Sequence, residues 1–377
     1  MRIKWFIICG LICQIAIGQV TFIVNQLPEN HDYSKSIYIS GDFEGWSGGS
    51  DQFRLTQNNK QYSITIPNQR ETINFKFTLG SWDFVESDPV ENSIENRFYT
   101  YKKTPDTVAI EIENWTSDTP KIKASTAAEN VYVFADNFEI PKLKRTRKIS
   151  IYLPPDYQNS KKSYPVLYMH DGQNVFDLST SYAGEWEVDE TLNRLSSEIG
   201  LNLIVVAIDH GNEKRMSEYT PWGNKKNVMA EGKDYIDFIA NTLKPTIDKT
   251  FRTKTNAKNT VIMGSSLGGL ISHYAGLKYP NVFGKVGVFS PSFWYVSDSF
   301  DFTQKHSKLK HLKMYYLVGG KEGEDMVASV DKMVQLMKAN GFRERNIYKK
   351  IVSEGTHNES FWKSEFENAI KWLFVKD

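Results

Sequence analysis

The apolar and polar positions along the first part of the chain alternate in short segments that end at turn residues. This pattern predicts strands at residues 20–24, 36–40, 61–66, 72–78 and 107–112. Several short strands at such spacing, without helical periodicity between them, are typical of a β-sandwich. We therefore predict a small all-β sandwich domain over residues 19–116.

The pattern changes after residue 130, where continuous apolar runs are separated by segments of helical periodicity. The runs predict strands at residues 149–153, 166–169, 203–208, 261–263, 285–289, 314–318 and 347–351. Residues 326–340 form a helical pattern that stops at Gly341, and a last apolar stripe runs from Phe361 to Leu373. Strands that alternate with helices favour a mainly parallel sheet with helices on both faces, here over residues 131–377.

Two segments are assigned to neither domain. Residues 117–130 are polar and small and are interpreted as a linker. At the start, Arg2 and Lys4 precede an apolar stretch at residues 5–17, which predicts a signal peptide over residues 1–18. The stretch is shorter than the roughly 18 apolar residues that span a bilayer. We expect an exported protein, secreted or periplasmic, without stable membrane insertion.

Composition narrows the function mainly by exclusion. The chain has 46 Lys and Arg against 45 Asp and Glu, so no nucleic acid is expected as a partner. Cys9 and Cys13 both lie in the predicted signal peptide, which leaves the mature chain without a disulfide or a cysteine metal site. We predict neither a cofactor nor a metal site.

The clearest chemical signal is a Gly-x-Ser-x-Gly motif at residues 264–268, between an apolar strand and a helical pattern. In a nucleophile elbow the serine occupies a strained turn, and glycines two residues away on each side leave room for the neighbouring backbone. We predict Ser266 as the nucleophile. The amide of Leu267, at the start of a helix whose dipole favours an oxyanion, is a predicted oxyanion-hole donor.

A serine hydroxyl needs a general base, and His357 stands in the loop between the last strand and the last helix. The acid that orients the histidine is expected after the strand at 314–318. Glu322, Glu324 and Asp325 are all available there. We choose Glu322 because it comes first after a glycine pair, and the other two remain open.

A second oxyanion donor is expected in the loop after the strand at 166–169. Glycine in that loop allows backbone amides to approach the substrate, so Gly172 and Gln173 are the predicted donors. His170 and Asp171 are expected to brace this loop. Pocket lining and ordinary packing both remain open for Trp186, Arg215, Tyr219 and Trp222.

The motifs at residues 168–176, 263–269, 319–324 and 354–359 together resemble the putative esterase family, which includes esterase D, enterochelin esterase, feruloyl and acetyl xylan esterases and the mycolyltransferases. The resemblance begins near residue 131. It implies an α/β-hydrolase whose triad corresponds to Ser266, Glu322 and His357.

The first domain resembles a family 20 starch-binding domain through residues 36–46, 75–82 and 94–97. Such modules stack two tryptophans on sugar rings. Trp46 matches one of these two tryptophans. Trp82 is the second candidate, although it lies upstream of the matching position before Asn96 and Arg97, and core packing is the alternative for both.

These features lead us to expect a serine esterase that removes acyl or feruloyl-type groups from a glycan. The expected partners are an acylated carbohydrate or a small ester, and a polysaccharide is a further candidate. Two alternatives remain: a siderophore trilactone esterase, and a glycan-binding protein with a non-catalytic hydrolase scaffold.

Overall fold

In a computed structural model, the chain divides into two compact units, Met1–Lys121 and Ile122–Asp377. The structure describes residues 18–68, 72–89, 91, 94, 96–116, 124–181, 184–223, 229–306, 309 and 311–375. Residues 1–17 of the predicted signal peptide and residues 117–123 of the predicted linker lie outside the described residues. Both segments therefore stay predictions.

The first unit is rich in β-structure. Its strands are β1 (Gln19–Gln26), β2 (Tyr38–Gly41), β3 (Thr56–Asn58), β4 (Gln61–Pro67), β5 (Thr72–Thr78), β6 (Glu86–Ser87), β7 (Arg97–Thr100), β8 (Asp106–Glu111) and β9 (Asn114–Trp115). One sheet has the order β3-β4-β1-β8 and a second has the order β2-β5-β7, while β6 pairs with β9. Strand β1 is antiparallel to β4 and parallel to β8.

The two larger sheets of this unit share one hydrophobic core, because their strands alternate apolar and polar side chains. Val20 and Phe22 of β1 are buried together with Phe75 and Phe77 of β5. The rings of Phe22 and Phe75 lie 4.6 Å apart between centroids. The alternation read from the sequence thus corresponds to the inward face of each strand.

The second unit is built on an eight-stranded, mostly parallel sheet. Its strands are β10 (Val131–Ile140), β11 (Arg145–Tyr152), β12 (Val166–His170), β13 (Ile204–Ile208), β14 (Thr260–Ser265), β15 (Lys285–Phe289), β16 (Lys313–Gly319) and β17 (Ile347–Val352). The order is β10-β11-β13-β12-β14-β15-β16-β17. Strands β10 and β11 run antiparallel to their neighbours, and the remaining pairs are parallel.

Helices follow most of the parallel strands. They are α1 (Val188–Ile199), α2 (Arg215–Glu218), α3 (Gly232–Phe238), α4 (Lys244–Thr250), α5 (Leu267–Lys278), α6 (Asp298–Lys305), α7 (Glu324–Ala339) and α8 (Glu359–Phe374). After α7, Gly341 has a φ of 86°, a conformation that glycine adopts without strain. Within the described residues, no helix is both long enough and apolar enough to span a bilayer.

Hydrophobic clusters cover both faces of this sheet. Val166 and Tyr168 of β12 belong to the cluster that includes residues of α3, α5 and α7. Leu167 and Met169 belong to the opposite cluster, which includes residues of α1 and α8. Burial on both faces explains why the strands appear in the sequence as continuous apolar runs.

Residues 124–130, which we call the entry segment, are hydrogen bonded within the second unit. The hydroxyl of Ser125 donates to Asp177 Oδ2 at 2.8 Å, and that of Thr126 donates to Glu185 Oε2 at 2.8 Å. The amide of Ala128 donates to Asp189 Oδ2 at 2.8 Å. The described part of the predicted linker is therefore anchored by carboxylates of this unit.

Candidate active site

The predicted catalytic residues all follow parallel strands of the second unit. Because carboxyl ends of parallel strands meet at one edge of a sheet, the loops after β12, β14, β15, β16 and β17 surround a common site. These loops carry Gly172 and Gln173, Ser266, Ser290, Glu322 and His357, respectively.

Ser266 occupies a strained turn between β14 and α5. Its backbone has φ 58° and ψ −122°, a region that non-glycine residues rarely adopt. A Cβ at Gly264 would lie 2.9 Å from the backbone carbonyl group of Gly268, so any larger residue there would displace the turn. The nucleophile-elbow geometry thus follows from the close approach of strand and helix at these two glycines.

The two other glycines of this turn have different surroundings. A Cβ at Gly268 would first meet the side chain of Asp171, at 3.3 Å from Oδ2. A Cβ at Gly269 would lie 2.7 Å from the carbonyl oxygen of Phe289. The motif predicts that its second glycine, Gly268, lies against neighbouring backbone. In the structure this close backbone contact occurs at Gly269 instead, one residue later.

The loop after β15 holds the backbone of the candidate nucleophile, Ser266. The amide of Ser266 donates to the carbonyl of Phe289 at 2.9 Å, and its carbonyl accepts from the amide of Ser292 at 3.1 Å. The hydroxyls of Ser266 and Ser292 are 3.3 Å apart. Both the backbone amide and the backbone carbonyl of the candidate nucleophile are therefore hydrogen bonded to this loop.

The structure brings Glu322 and His357 together. Glu322 Oε2 lies 2.7 Å from His357 Nδ1, with the glutamate side chain fully buried and the imidazole 32% exposed. Glu322 Oε1 accepts from the amide of Gly319 at 2.7 Å and from the hydroxyl of Ser290 at 2.6 Å. The carboxylate therefore accepts three hydrogen bonds, which hold it in a single orientation.

The two alternative acids have different positions. Glu324 and Asp325 lie in the first turn of α7, and both are exposed. Of the three carboxylates, the structure places Glu322 against the imidazole. The catalytic roles of Ser266, Glu322 and His357 themselves stay predictions.

Ser290 and Trp362 complete this network and were not predicted from the sequence. The indole Nε1 of Trp362 donates to the Ser290 hydroxyl at 2.9 Å, and the ring packs edge-on against the His357 ring at 5.1 Å. Ser290 is fully buried and has a φ of 42°. A serine directly after a buried strand was the only signal available in the sequence.

Two glycines let the acid and histidine loops approach each other. A Cβ at Gly319 would lie 2.3 Å from the carbonyl oxygen of Gly355. The same carbonyl accepts from the amide of Lys321 at 3.0 Å. The loop that carries His357 is thereby attached to the loop that carries Glu322.

The predicted oxyanion donors lie in a helical turn, Gly172–Asn174, directly after β12. A Cβ at Gly172 would lie 2.7 Å from the amide nitrogen of Asp209, so glycine is required there. The Gln173 side chain accepts from the amide of His210 at 3.2 Å. Gly268 packs near this loop, which brings the turn close to the start of α5.

Asp171 and His170 brace the same loop. Arg215 binds both carboxylate oxygens of Asp171, from Nε at 2.6 Å and from Nη2 at 2.8 Å. Burial acts to raise the pKa of Asp171, but the Arg215 charge outweighs it and the pKa is lowered. His170 Nδ1 lies 3.0 Å from the Tyr235 hydroxyl, and burial lowers the pKa of His170 to about 4. The Tyr219 hydroxyl accepts a hydrogen bond from the Asp171 amide at 3.1 Å.

The remaining aromatic candidates are packing residues. Trp186 is buried against Trp362 and Phe289, and the half-buried Trp222 packs against Tyr274 and Phe302.

The sequence did not indicate Glu359, whose carboxylate accepts from the side-chain amide of Asn174 at 3.2 Å. Burial raises the pKa of Glu359 to about 7, and the charge of Asp171 acts in the same direction.

A polar cleft opens beside Gln173. Its lining includes Arg147, Gln173, Thr180, Asp209, His210 and Asn212. Burial raises the pKa of Asp209 to about 6, although Lys148 and Arg147 oppose the shift. The cleft places hydrogen-bonding groups next to a predicted oxyanion donor.

The sequence of this unit matches a known family. Residues 140–373 match the protein family described as Putative esterase. The chain belongs to this family. With its eight-stranded, mostly parallel sheet, the esterase unit has an α/β-hydrolase fold, and the protein is a hydrolase.

Similar proteins support the same classification. The uncharacterized protein YbbA of Bacillus subtilis is 27% identical over 244 residues, which cover 61% of this chain and 94% of YbbA. An endo-1,4-beta-xylanase/feruloyl esterase of Xylanibacter ruminicola is 26% identical over 231 residues, which cover 60% of this chain and 29% of that protein. The solved enterobactin esterase FES of Shigella flexneri has a TM-score of 0.58 at 17% identity, covering 94% of this chain and 92% of that chain.

In the first unit of the esterase, Trp46 and Trp82 pack against each other. Their ring centroids lie 6.0 Å apart with a 41° interplanar angle, and the indole Nε1 of Trp82 donates to the carbonyl of Trp46 at 3.0 Å. Both side chains are half-buried. Sugar stacking by these residues stays a prediction.

Proposed function

We propose that the protein is an exported serine carboxylic-ester hydrolase that removes acyl or feruloyl-type groups from a glycan. The observation that carries the proposal is the buried Glu322 carboxylate, 2.7 Å from His357 Nδ1 at the strand edge where Ser266 occupies its strained turn. A carboxylate, an imidazole and a serine hydroxyl at this edge are the groups that acyl transfer requires.

The proposed mechanism assigns one role to each group. Glu322 holds the Nδ1 proton of His357, which leaves Nε2 as the acceptor for the Ser266 hydroxyl proton. The Ser266 oxygen attacks the ester carbonyl, and His357 returns the proton to the departing alcohol. Backbone amides of Leu267 and of the Gly172 and Gln173 turn stabilise the oxyanion. Water then attacks the acyl-enzyme, with His357 again as base, and releases the acid.

The polar cleft beside Gln173 supports a hydroxyl-rich alcohol as the departing group. Its side chains offer both donors and acceptors of hydrogen bonds, which a sugar can use and an alkyl alcohol cannot. A relative is named as a xylanase and feruloyl esterase. We therefore place a glycan on the alcohol side of the ester bond.

A siderophore trilactone is the second candidate substrate. The likeness to the enterobactin esterase FES extends over 94% of this chain and so includes both units. A first unit of this kind therefore does not by itself favour a glycan. A non-catalytic scaffold is the third alternative, and the hydrogen-bonded Glu322 and His357 argue against it.

A substrate panel separates these alternatives. Wild type, Ser266→Ala and Ser265→Ala are assayed on p-nitrophenyl acetate, methyl ferulate, acetylated xylan and a catecholate trilactone. Triad removal reduces rates by several orders of magnitude, so we expect Ser266→Ala to be inactive and Ser265→Ala to remain active.

The ranking of the substrates by kcat/KM distinguishes a glycan esterase from a siderophore esterase. Higher kcat/KM on methyl ferulate or acetylated xylan supports the glycan esterase, and higher kcat/KM on the trilactone supports the siderophore esterase. If Ser266→Ala keeps a tenth of the wild-type activity, the nucleophile assignment is wrong. Export is tested by recovering a chain that begins at Gln19 from the periplasm or the medium.

A further inference from the structure

Three acidic side chains converge near the start of α1, away from Ser266 and His357 in the chain. Glu185, Asp189 and Glu190 each offer a carboxylate oxygen, and these oxygens lie within 4.8 Å of one another. Asp189 is fully buried and Glu185 is 7% exposed, while Glu190 is half-buried. Most acidic groups in a first helical turn are solvated, whereas Asp189 is fully buried.

Asp189 and Glu190 lie within hydrogen-bonding distance of each other. One oxygen of each of the three carboxylates is buried and accepts no hydrogen bond from a donor among the described residues. These atoms are Glu185 Oε1, Asp189 Oδ1 and Glu190 Oε2. For two of the residues, the opposite oxygen is already bound: Thr126 donates to Glu185 Oε2, and the amide of Ala128 donates to Asp189 Oδ2. The entry segment thus binds one oxygen of each of these two carboxylates, and the other oxygen of each is the unpaired one.

The cluster also lacks a compensating positive charge. Among the described residues, no Lys, Arg or His forms an ion pair with any of the three. Buried carboxylates are normally paired, protonated or bound to a metal.

We propose that Glu185, Asp189 and Glu190 bind one calcium ion. All available donors are carboxylate oxygens, which hard cations prefer, and the cluster offers no imidazole or thiolate for a transition metal. Calcium binds oxygen at about 2.3 to 2.6 Å and accepts irregular geometry, so its ligands lie up to about 5 Å apart. Magnesium, at about 2.0 to 2.1 Å, requires a tighter octahedron.

The ion has a structural role that does not depend on the proposed ester substrate. It joins carboxylates that hold the entry segment to the loop before α1. That loop is bound to the predicted oxyanion loop, since the amide of Trp186 donates to the carbonyl of Asn174 at 2.9 Å. Calcium therefore stabilises the attachment of the entry segment and supports the loop next to Gln173.

The test is calcium binding by the metal-stripped, full-length protein at pH 7.5. Isothermal titration with CaCl₂ measures binding to wild type, Glu185→Gln, Asp189→Asn and the control Glu187→Gln. Glu187 lies in the same loop but pairs with Lys363, so its substitution removes the same charge without removing a ligand. Circular dichroism confirms that each variant is folded.

We expect one calcium per chain and a rise in Tm of roughly 5 °C or more at a hundredfold excess over Kd. Glu185→Gln and Asp189→Asn should each weaken binding at least about tenfold, and Glu187→Gln should bind like wild type. A wild-type protein that binds no calcium overturns the proposal without reference to any variant. Equal binding by all variants, or equal weakening in Glu187→Gln, also overturns it.

A shared proton between Asp189 and Glu190 is the competing explanation for the cluster. It predicts no calcium binding and a wild-type Tm that falls between pH 6 and pH 8 equally with and without calcium. The charges of Glu187 and Asp177 also act on Glu185, and the charge of Asp189 acts on Tyr152; all of these residues are unchanged in the wild-type samples compared here. A Tm that calcium raises more at pH 8 than at pH 6 supports the metal site, because protons compete with the ion.

Discussion

Substitution of Glu322 by glutamine tests the orientation of His357 with the least change in shape. In the native protein, Glu322 Oε2 meets the imidazole Nδ1 at 2.7 Å, while Oε1 accepts from Gly319 and Ser290. The two donors at Oε1 require an oxygen there. Glutamine must therefore turn its NH₂ group towards His357.

The magnitude follows from these three contacts. The contacts with Gly319 and Ser290 are kept in the glutamine variant. The charge-assisted bond to His357 is lost, and this loss lowers the free energy of unfolding by about 1 to 3 kcal/mol. Activity falls much further, because an NH₂ group facing Nδ1 selects the tautomer whose proton is on Nε2. That tautomer cannot accept the Ser266 proton. We expect kcat to fall roughly 10³- to 10⁴-fold, or about 4 to 5.5 kcal/mol in the activation barrier.

The assay is kcat on p-nitrophenyl acetate together with urea unfolding for Glu322→Gln and for the control Glu324→Gln. Glu324 is exposed in the first turn of α7, so its substitution should leave kcat within about twofold. If Glu322→Gln keeps more than a tenth of the activity, or if Glu324→Gln loses as much, the acid assignment is refuted.

Three further predictions concern the turn, the site and the first unit. Gly264→Ala should lower the free energy of unfolding by about 1 to 3 kcal/mol in urea, since its Cβ meets the Gly268 backbone at 2.9 Å, and Gly268→Ala should be milder. The pKa of Glu359 is raised to about 7, so the stability that its protonated form contributes is lost as the pH rises towards 7. Glu359→Gln should therefore flatten the decline of Tm between pH 5 and pH 8. An unchanged slope of Tm against pH contradicts this prediction. Trp46→Ala and Trp82→Ala should reduce retention on starch, xylan or cellulose while small-ester turnover is unchanged, and equal retention argues against sugar stacking.

Most of the parallel sheet could be predicted from the sequence, because its inner strands β12 to β16 are buried on both faces and appear as continuous apolar runs. Each apolar run from residue 149 onwards lies in or overlaps a strand, from β11 to β17. Strand β10 was missed for a physical reason. It lies at the sheet edge with mostly half-exposed side chains, and register shifts after Val133 and Ala135 interrupt its alternation.

The Gly-x-Ser-x-Gly motif could be recognised in the sequence because its five residues are contiguous, whereas the contacts of Ser290 join positions that are distant in the chain. Ser290 bonds with Glu322 and with Trp362, at separations of 32 and 72 residues. No spacing rule relates such positions. Likewise, Gly269 rather than Gly268 contacts the neighbouring backbone, which depends on where Phe289 of the adjacent strand lies. Tertiary contacts of this kind do not leave a pattern in the sequence.

The packing of Trp46 and Trp82 limits the surface that the first unit offers to a sugar. Trp82 uses its indole N–H on the Trp46 carbonyl, and a Cβ at Gly48 would lie 2.8 Å from the Trp82 ring, so one side of that ring rests on backbone. The surface available to a sugar is the outward face of the Trp46 and Trp82 rings. We predict that the substrate is selected at the polar cleft beside Gln173, where the departing alcohol of a glycan ester and that of a trilactone differ in the hydrogen bonds they offer.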